Sequence, residues 1–71
     1  MKTGITRRLC GDNMAECYKR CARYAEFIRR DNWTDDRGNL SRATYKNATT
    51  FYRFTVLNGE VIESEWWAEG S

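Results

Sequence analysis

The sequence predicts one α+β domain, an amphipathic helix packed on a small antiparallel sheet of about three strands, in the order α-β-β-β. Three features of the 71 residues carry that expectation. An apolar stripe of helical period runs through the first half, an aromatic and β-branched pattern fills the second, and Asn58-Gly59 interrupts that pattern where a hairpin would turn.

The helix is expected over residues 13–31. Asn13 is a good N-cap, and Glu16 three positions on completes a capping-box pattern that satisfies otherwise orphaned amides. At about 100° per residue, Met14, Cys17, Tyr18, Cys21, Ala25 and Ile28 fall on one stripe, the core face. The opposite side carries Glu16, Lys19, Arg20, Arg23, Glu26 and Arg30, with Glu16/Arg20 and Glu26/Arg30 spaced for i,i+4 pairing. The run DNWTDDRGNLS at 31–41 is dense in turn formers and reads as the loop that leaves the helix.

Residues 42–67 are expected to form the sheet, from a short strand in RATYKN and two longer ones in TTFYRFTVL and EVIESEWW. Of two registers for the last hairpin, a two-residue Asn58-Gly59 loop sets Phe54 opposite Glu63 and Tyr52 opposite Glu65, mixing polar and apolar on both faces. A three-residue loop with Gly59 as a left-handed bulge instead pairs Phe54 with Ile62 and Arg53 with Glu63, and is preferred. It places Tyr52, Phe54, Val56, Ile62 and Trp66 on the core face and Phe51, Arg53, Thr55, Val61, Glu63, Glu65 and Trp67 on the other. The N-terminal segment 1–12 alternates weakly over Thr3–Leu9, compatible with an added edge strand.

A chain this short buries only about 60% of its unfolded surface, so its ten aromatics are needed for folding first. The segment MKTGITRRLCGD has no apolar stretch of the signal-peptide kind, no run is long enough to span a membrane, and the three cysteines do not pair off. These features point to a cytoplasmic setting in a host cell and no membrane partner. The sequons at Asn32 and Asn47 then carry no meaning. Residues 1–59 hold all twelve Lys and Arg against six acids, a net +6, while residues 60–71 hold four glutamates and no base. Such polarity either steers an encounter or cancels across the fold.

Catalysis is not expected. There is no histidine, phosphate loop or nucleophile elbow, and a reaction pocket would consume much of so small a core. Cys10, Cys17 and Cys21 lack the fourth ligand and paired spacing of a structural zinc site, so no metal or other cofactor is expected and Cys17 and Cys21 read as small buried hydrophobes.

Two surfaces remain for binding. The first is the outer helix face, where Phe27 projects among Arg20, Arg23 and Arg30, an aromatic framed by guanidiniums as in interaction hot spots. The second is the outer sheet face, with Phe51, Arg53 and Trp67 in mutual reach, a composition also used to stack single-stranded nucleic acid. Glu63 and Glu65 on that face would repel phosphates and favour a protein ligand.

In size, in its want of a catalytic signature and in its helix-plus-hairpin organisation, the whole chain resembles the small phage-encoded inhibitors of bacterial defence, the anti-CRISPR proteins among them. The resemblance implies stoichiometric inhibition of a host protein or ribonucleoprotein complex by occlusion of its nucleic-acid-binding surface. It carries no functional residue over to this chain. Direct binding of DNA or RNA through the basic first 59 residues is the alternative, and a structural subunit a third.

Overall fold

The computed structural model describes residues 13–70. The N-terminal segment, its weak alternation at 3–9 and Cys10 lie outside the described residues. One helix, α1 (Met14–Tyr24), precedes four strands, β1 (Glu26–Asp35), β2 (Gly38–Asn47), β3 (Thr50–Leu57) and β4 (Glu60–Ala68). The strands form one antiparallel sheet in the order β1-β2-β3-β4, with α1 packed on one face.

The helix begins where the sequence places it. Asn13 is extended, and its side-chain oxygen accepts from the Glu16 N–H at 2.8 Å. It ends a full seven residues earlier than the helical period indicates, at Tyr24, where the Ala25 N–H donates to the Cys21 carbonyl at 3.0 Å. The next residues, EFIRRDNWTD, are β1 and pair with β2 from Glu26↔Lys46 to Asp35↔Gly38. Phe27, Ile28, Trp33 and Thr34 suit a pleated strand, and a ten-residue ladder outweighs the one exposed i,i+4 charge pair, Glu26/Arg30, worth about a few tenths of a kcal/mol. The fourth strand therefore comes from the segment read as the helix end and loop. The Glu26/Arg30 pair of the longer helix is lost with it, and Ile28 leaves the core stripe to become the bulged residue between Phe27 and Arg29. Only Asp36 and Arg37 turn the chain, with the Asp35 carboxylate accepting from the Arg37 N–H at 2.8 Å and holding its guanidinium at 2.8 Å. That guanidinium and the backbone amide keep the Asp35 pKa below the usual carboxylate value.

The last hairpin follows neither simple register. Asn58 and Gly59 form a two-residue loop, with the positive φ values of 49° and 89° that a type I′ turn requires, and Leu57 pairs with Glu60 and Val56 with Val61. A bulge then shifts the ladder, so that Thr55 meets Glu63, Phe54 meets Ser64, Arg53 meets Glu65 and Tyr52 meets Trp66. The expected Phe54–Ile62 and Arg53–Glu63 pairs are thereby replaced. Ile62, displaced by the bulge, is exposed, and Val61 takes its place against the core. The bulge answers the mixing problem physically, because Ser64 rather than Glu63 stands opposite Phe54.

The core lies between α1 and the sheet. Cys17 and Cys21 from α1, Ala43 and Tyr45 from β2 and Tyr52 and Phe54 from β3 are buried together, with Tyr18, Ala25, Val61 and Trp66 packed around them. Cys17 is buried as expected but also takes part in a disulfide, which the sequence spacing did not demand. A disulfide is at odds with the reducing compartment expected from the sequence. Cys21 is a free thiol whose burial pushes its pKa up to about 12. It should therefore resist a disulfide reagent at pH 8 in the native protein and react only as urea unfolds the chain; rapid native-state labelling at Cys21, located by peptide mapping, would contradict this packing.

Candidate binding site

The expected helix face is divided by the early helix end. Arg20 and Arg23 are exposed on α1, where they line a shallow depression of about 210 Å³ with Glu16, Lys19 and Tyr24. Phe27 and Arg30 belong to β1, on the side of the sheet that carries the helix, since Phe27 pairs with Tyr45 and Arg30 with Ala43. The four residues thus sit on both arms of the α1–β1 corner rather than on one helix. The Phe27 ring meets Tyr45 edge-on at 5.8 Å between centroids, and the Arg30 guanidinium lies 5.9 Å from the Phe27 centroid. Arg30 also reaches Ser41 Oγ at 3.5 Å, and the neighbouring Tyr18 hydroxyl is the main influence raising its pKa. Burial raises the Tyr45 phenol above the usual tyrosine value.

Anchoring does not bury the corner. Tyr24 is 66%, Phe27 53% and Ile28 41% exposed, so among the described residues three of the five exposed large apolar side chains fall within five consecutive residues. Tyr24 and Ile28 were missed by the sequence reading, which had placed Ile28 in the core. Their signal lay in the aromatic and β-branched run across 24–28, visible only once the helix is known to stop.

Charge is distributed unequally between the two sides of the sheet. Lys19, Arg20, Arg23 and Arg30 make no ion pair among the described residues, and the Glu16–Arg20 pair expected on α1 does not form. On the side away from the helix three cations are held in ion pairs, while Arg42 and Glu63 bond Thr55 Oγ1 and make no ion pair among the described residues. Arg29 bonds Asp31 at 2.7 Å, Lys46 bonds Glu69 at 2.9 Å, and Arg53 Nε bonds Glu65 at 2.8 Å. Two of the four C-terminal glutamates are therefore neutralised inside the fold.

The outer sheet face does bring Phe51, Arg53 and Trp67 together. Phe51 and Trp67 are directly opposed, stacked with centroids 5.5 Å apart at 13°. Arg53 lies over Trp67 at 5.3 Å, Lys46 over Phe51 at 5.4 Å and, further across, Arg42 over Trp33 at 5.2 Å. The result is a ladder of alternating cations and rings in which the stacking faces are engaged by one another. Its contribution is to stiffen the sheet, whereas at the corner Tyr24 and Phe27 stay more than half exposed beside Arg20 and Arg23.

No family model, curated protein or solved structure matches the chain. The corner must be read from its own geometry. Among the described residues there is no cluster of three or more metal-ligating side chains, and no helix is long and apolar enough to cross a membrane.

Proposed function

We propose that the chain is a non-catalytic, stoichiometric binding protein that docks on a partner protein through the α1–β1 corner, using Arg20, Arg23, Tyr24, Phe27, Ile28 and Arg30. In this reading it acts as an inhibitor, covering a surface of a host complex that handles nucleic acid. The observation that supports it best is the exposure of Tyr24, Phe27 and Ile28 close together in sequence, beside arginines that have no counter-ion among the described residues. A domain with so thin a core loses stabilisation by leaving three large apolar groups in water, and a cluster of this kind is characteristic of a surface covered on binding. Aromatic residues and arginine are also the types that dominate binding energy at protein interfaces.

Arg23→Glu combined with Phe27→Ala should abolish co-purification of the partner while lowering stability only modestly, because Arg23 is exposed and Phe27 is half-buried. Thermal melts of the variant establish that it is folded; full retention of partner capture by the folded variant would move the site away from the corner.

Lys19, Arg20 and Arg23, which make no ion pair among the described residues, favour direct nucleic-acid binding as the second reading. Phosphate contacts would make that affinity fall by orders of magnitude between low and moderate salt, whereas docking centred on aromatic residues would survive the change. The closed stack of Phe51 on Trp67 removes the open ring faces that such binding would need on the other side of the sheet.

A further inference from the structure

The helix is much shorter than the sheet it covers. Eleven residues of α1 span about 16 Å, while the ten residues of β1 or β2 extend over about 33 Å. Part of the helix-side sheet face is consequently left uncovered by α1, and a cavity of about 520 Å³ opens there, lined by Tyr18, Arg30, Asn32, Ser41 and Asn58 among others. This shelf starts at Arg30 and Asn32 of β1 and crosses β2 to the β3–β4 turn; β1 itself is an edge strand that pairs with β2 alone among the described residues and whose ten residues are all exposed.

From Arg29 to Asp35 the β1–β2 ladder is regular. A regular edge presents alternate backbone N–H and C=O groups outward, a template on which an extended chain can pair. The side chains beside that template differ by face. On the helix side stand Arg30, which has no ion pair among the described residues, and the amide of Asn32; on the other side Arg29 is already neutralised by Asp31, and Trp33 offers a partly exposed ring. A strand added here therefore meets the Arg30 guanidinium on one face and, on the other, the Trp33 ring with the Arg42 guanidinium of β2 lying over it.

We infer that β1 receives an extended segment of the partner by strand addition, and that the segment alternates acidic with apolar residues, its carboxylates on the shelf against Arg30 and its apolar side chains beside Trp33. The inference rests on the corner reading, since Phe27 and Arg30 share this strand. Arg30 is the specificity-determining contact, because a guanidinium pairs a carboxylate through two parallel hydrogen bonds.

The test titrates the isotopically labelled full chain with a capped octapeptide of alternating glutamate and valine, followed by amide chemical shifts. Saturable shifts confined to Arg29–Thr34 and the Trp33 indole are expected, with about a tenfold loss of affinity in Arg30→Gln. Methylating alternate peptide nitrogens should abolish binding by removing the ladder donors, and an alternating lysine–valine peptide should not bind. Undisturbed β1 amides, equal binding of the lysine peptide, or undiminished binding of the methylated one would each overturn strand addition. These outcomes separate from the corner reading: partner capture lost in the Arg23→Glu, Phe27→Ala variant while the peptide leaves β1 untouched would end strand addition alone, whereas retained capture would end the corner reading.

Discussion

Phe54→Ala should unfold the domain. Phe54 is fully buried, pairs across the sheet with Ala43 and Ser64, and packs its ring against Tyr18 at 5.3 Å and Tyr45 at 6.2 Å. Truncating a buried Phe costs about 3–5 kcal/mol through lost transfer energy and an unfilled cavity. A single core in a chain of this size supplies only about 3–5 kcal/mol in all. The expected result is loss of near-ultraviolet dichroism and of amide dispersion at 25 °C. Phe54→Leu, which keeps most of the volume, should stay folded with a lower melting temperature, typically less than about 1.5 kcal/mol below wild type. A cooperative melt retained by Phe54→Ala would mean that the Tyr18, Tyr45 and Phe54 rings do not form the centre of the core.

The core was legible because its signals are local. Asn13 and Glu16 mark the helix start, Cys17 and Cys21 share one helical face, and Asn58-Gly59 marks the hairpin. The end of the helix was not legible, since no glycine or proline follows Tyr24 and Glu26/Arg30 imitate helical pairing. Only the ladder with β2, whose first partner is twenty residues distant, decides that Glu26–Asp35 is a strand. The same misplacement bears on the candidate site: Phe27 and Arg30, expected on the outer helix face, stand on β1.

The hairpin teaches a different lesson. A three-residue loop and a two-residue loop followed by a bulge each insert one residue into the alternation, so both send Glu63, Glu65 and Trp67 to the outer face and Trp66 to the inner one. Phe51, Arg53 and Trp67 were therefore brought together correctly although the cross-strand partners are displaced by two residues. Val61 and Ile62, on the turn side of the bulge, are where the two solutions differ and where the expectation failed.

Gly38→Ala should be the most damaging change outside the core, because it strikes a clamp between two turns. Gly38 has φ +134°, and a Cβ there would lie 2.7 Å from both Asn58 Oδ1 and Nδ2. The Asn58 side chain cannot swing away without loss: its Oδ1 accepts from the Asn39 N–H at 3.0 Å and its Nδ2 donates to the Arg37 carbonyl at 3.4 Å, beside a backbone bond from the Asn58 N–H to the Asn39 carbonyl at 2.9 Å that the swing leaves in place. The β1–β2 and β3–β4 turns are tied through this one residue. A left-handed backbone imposed on alanine costs about 1–3 kcal/mol. Displacing the carboxamide adds about 1 kcal/mol for each hydrogen bond forfeited. Together these approach the whole stability available to the domain. Asn58→Gly preserves the positive φ of the turn and removes the group that would clash, so in urea unfolding the double variant should lose less than the sum of the single losses. The backbone strain at position 38 persists in both, which keeps the double variant below Asn58→Gly alone. Strict additivity, or a Gly38→Ala midpoint equal to wild type, would show that the two turns are not coupled through Asn58.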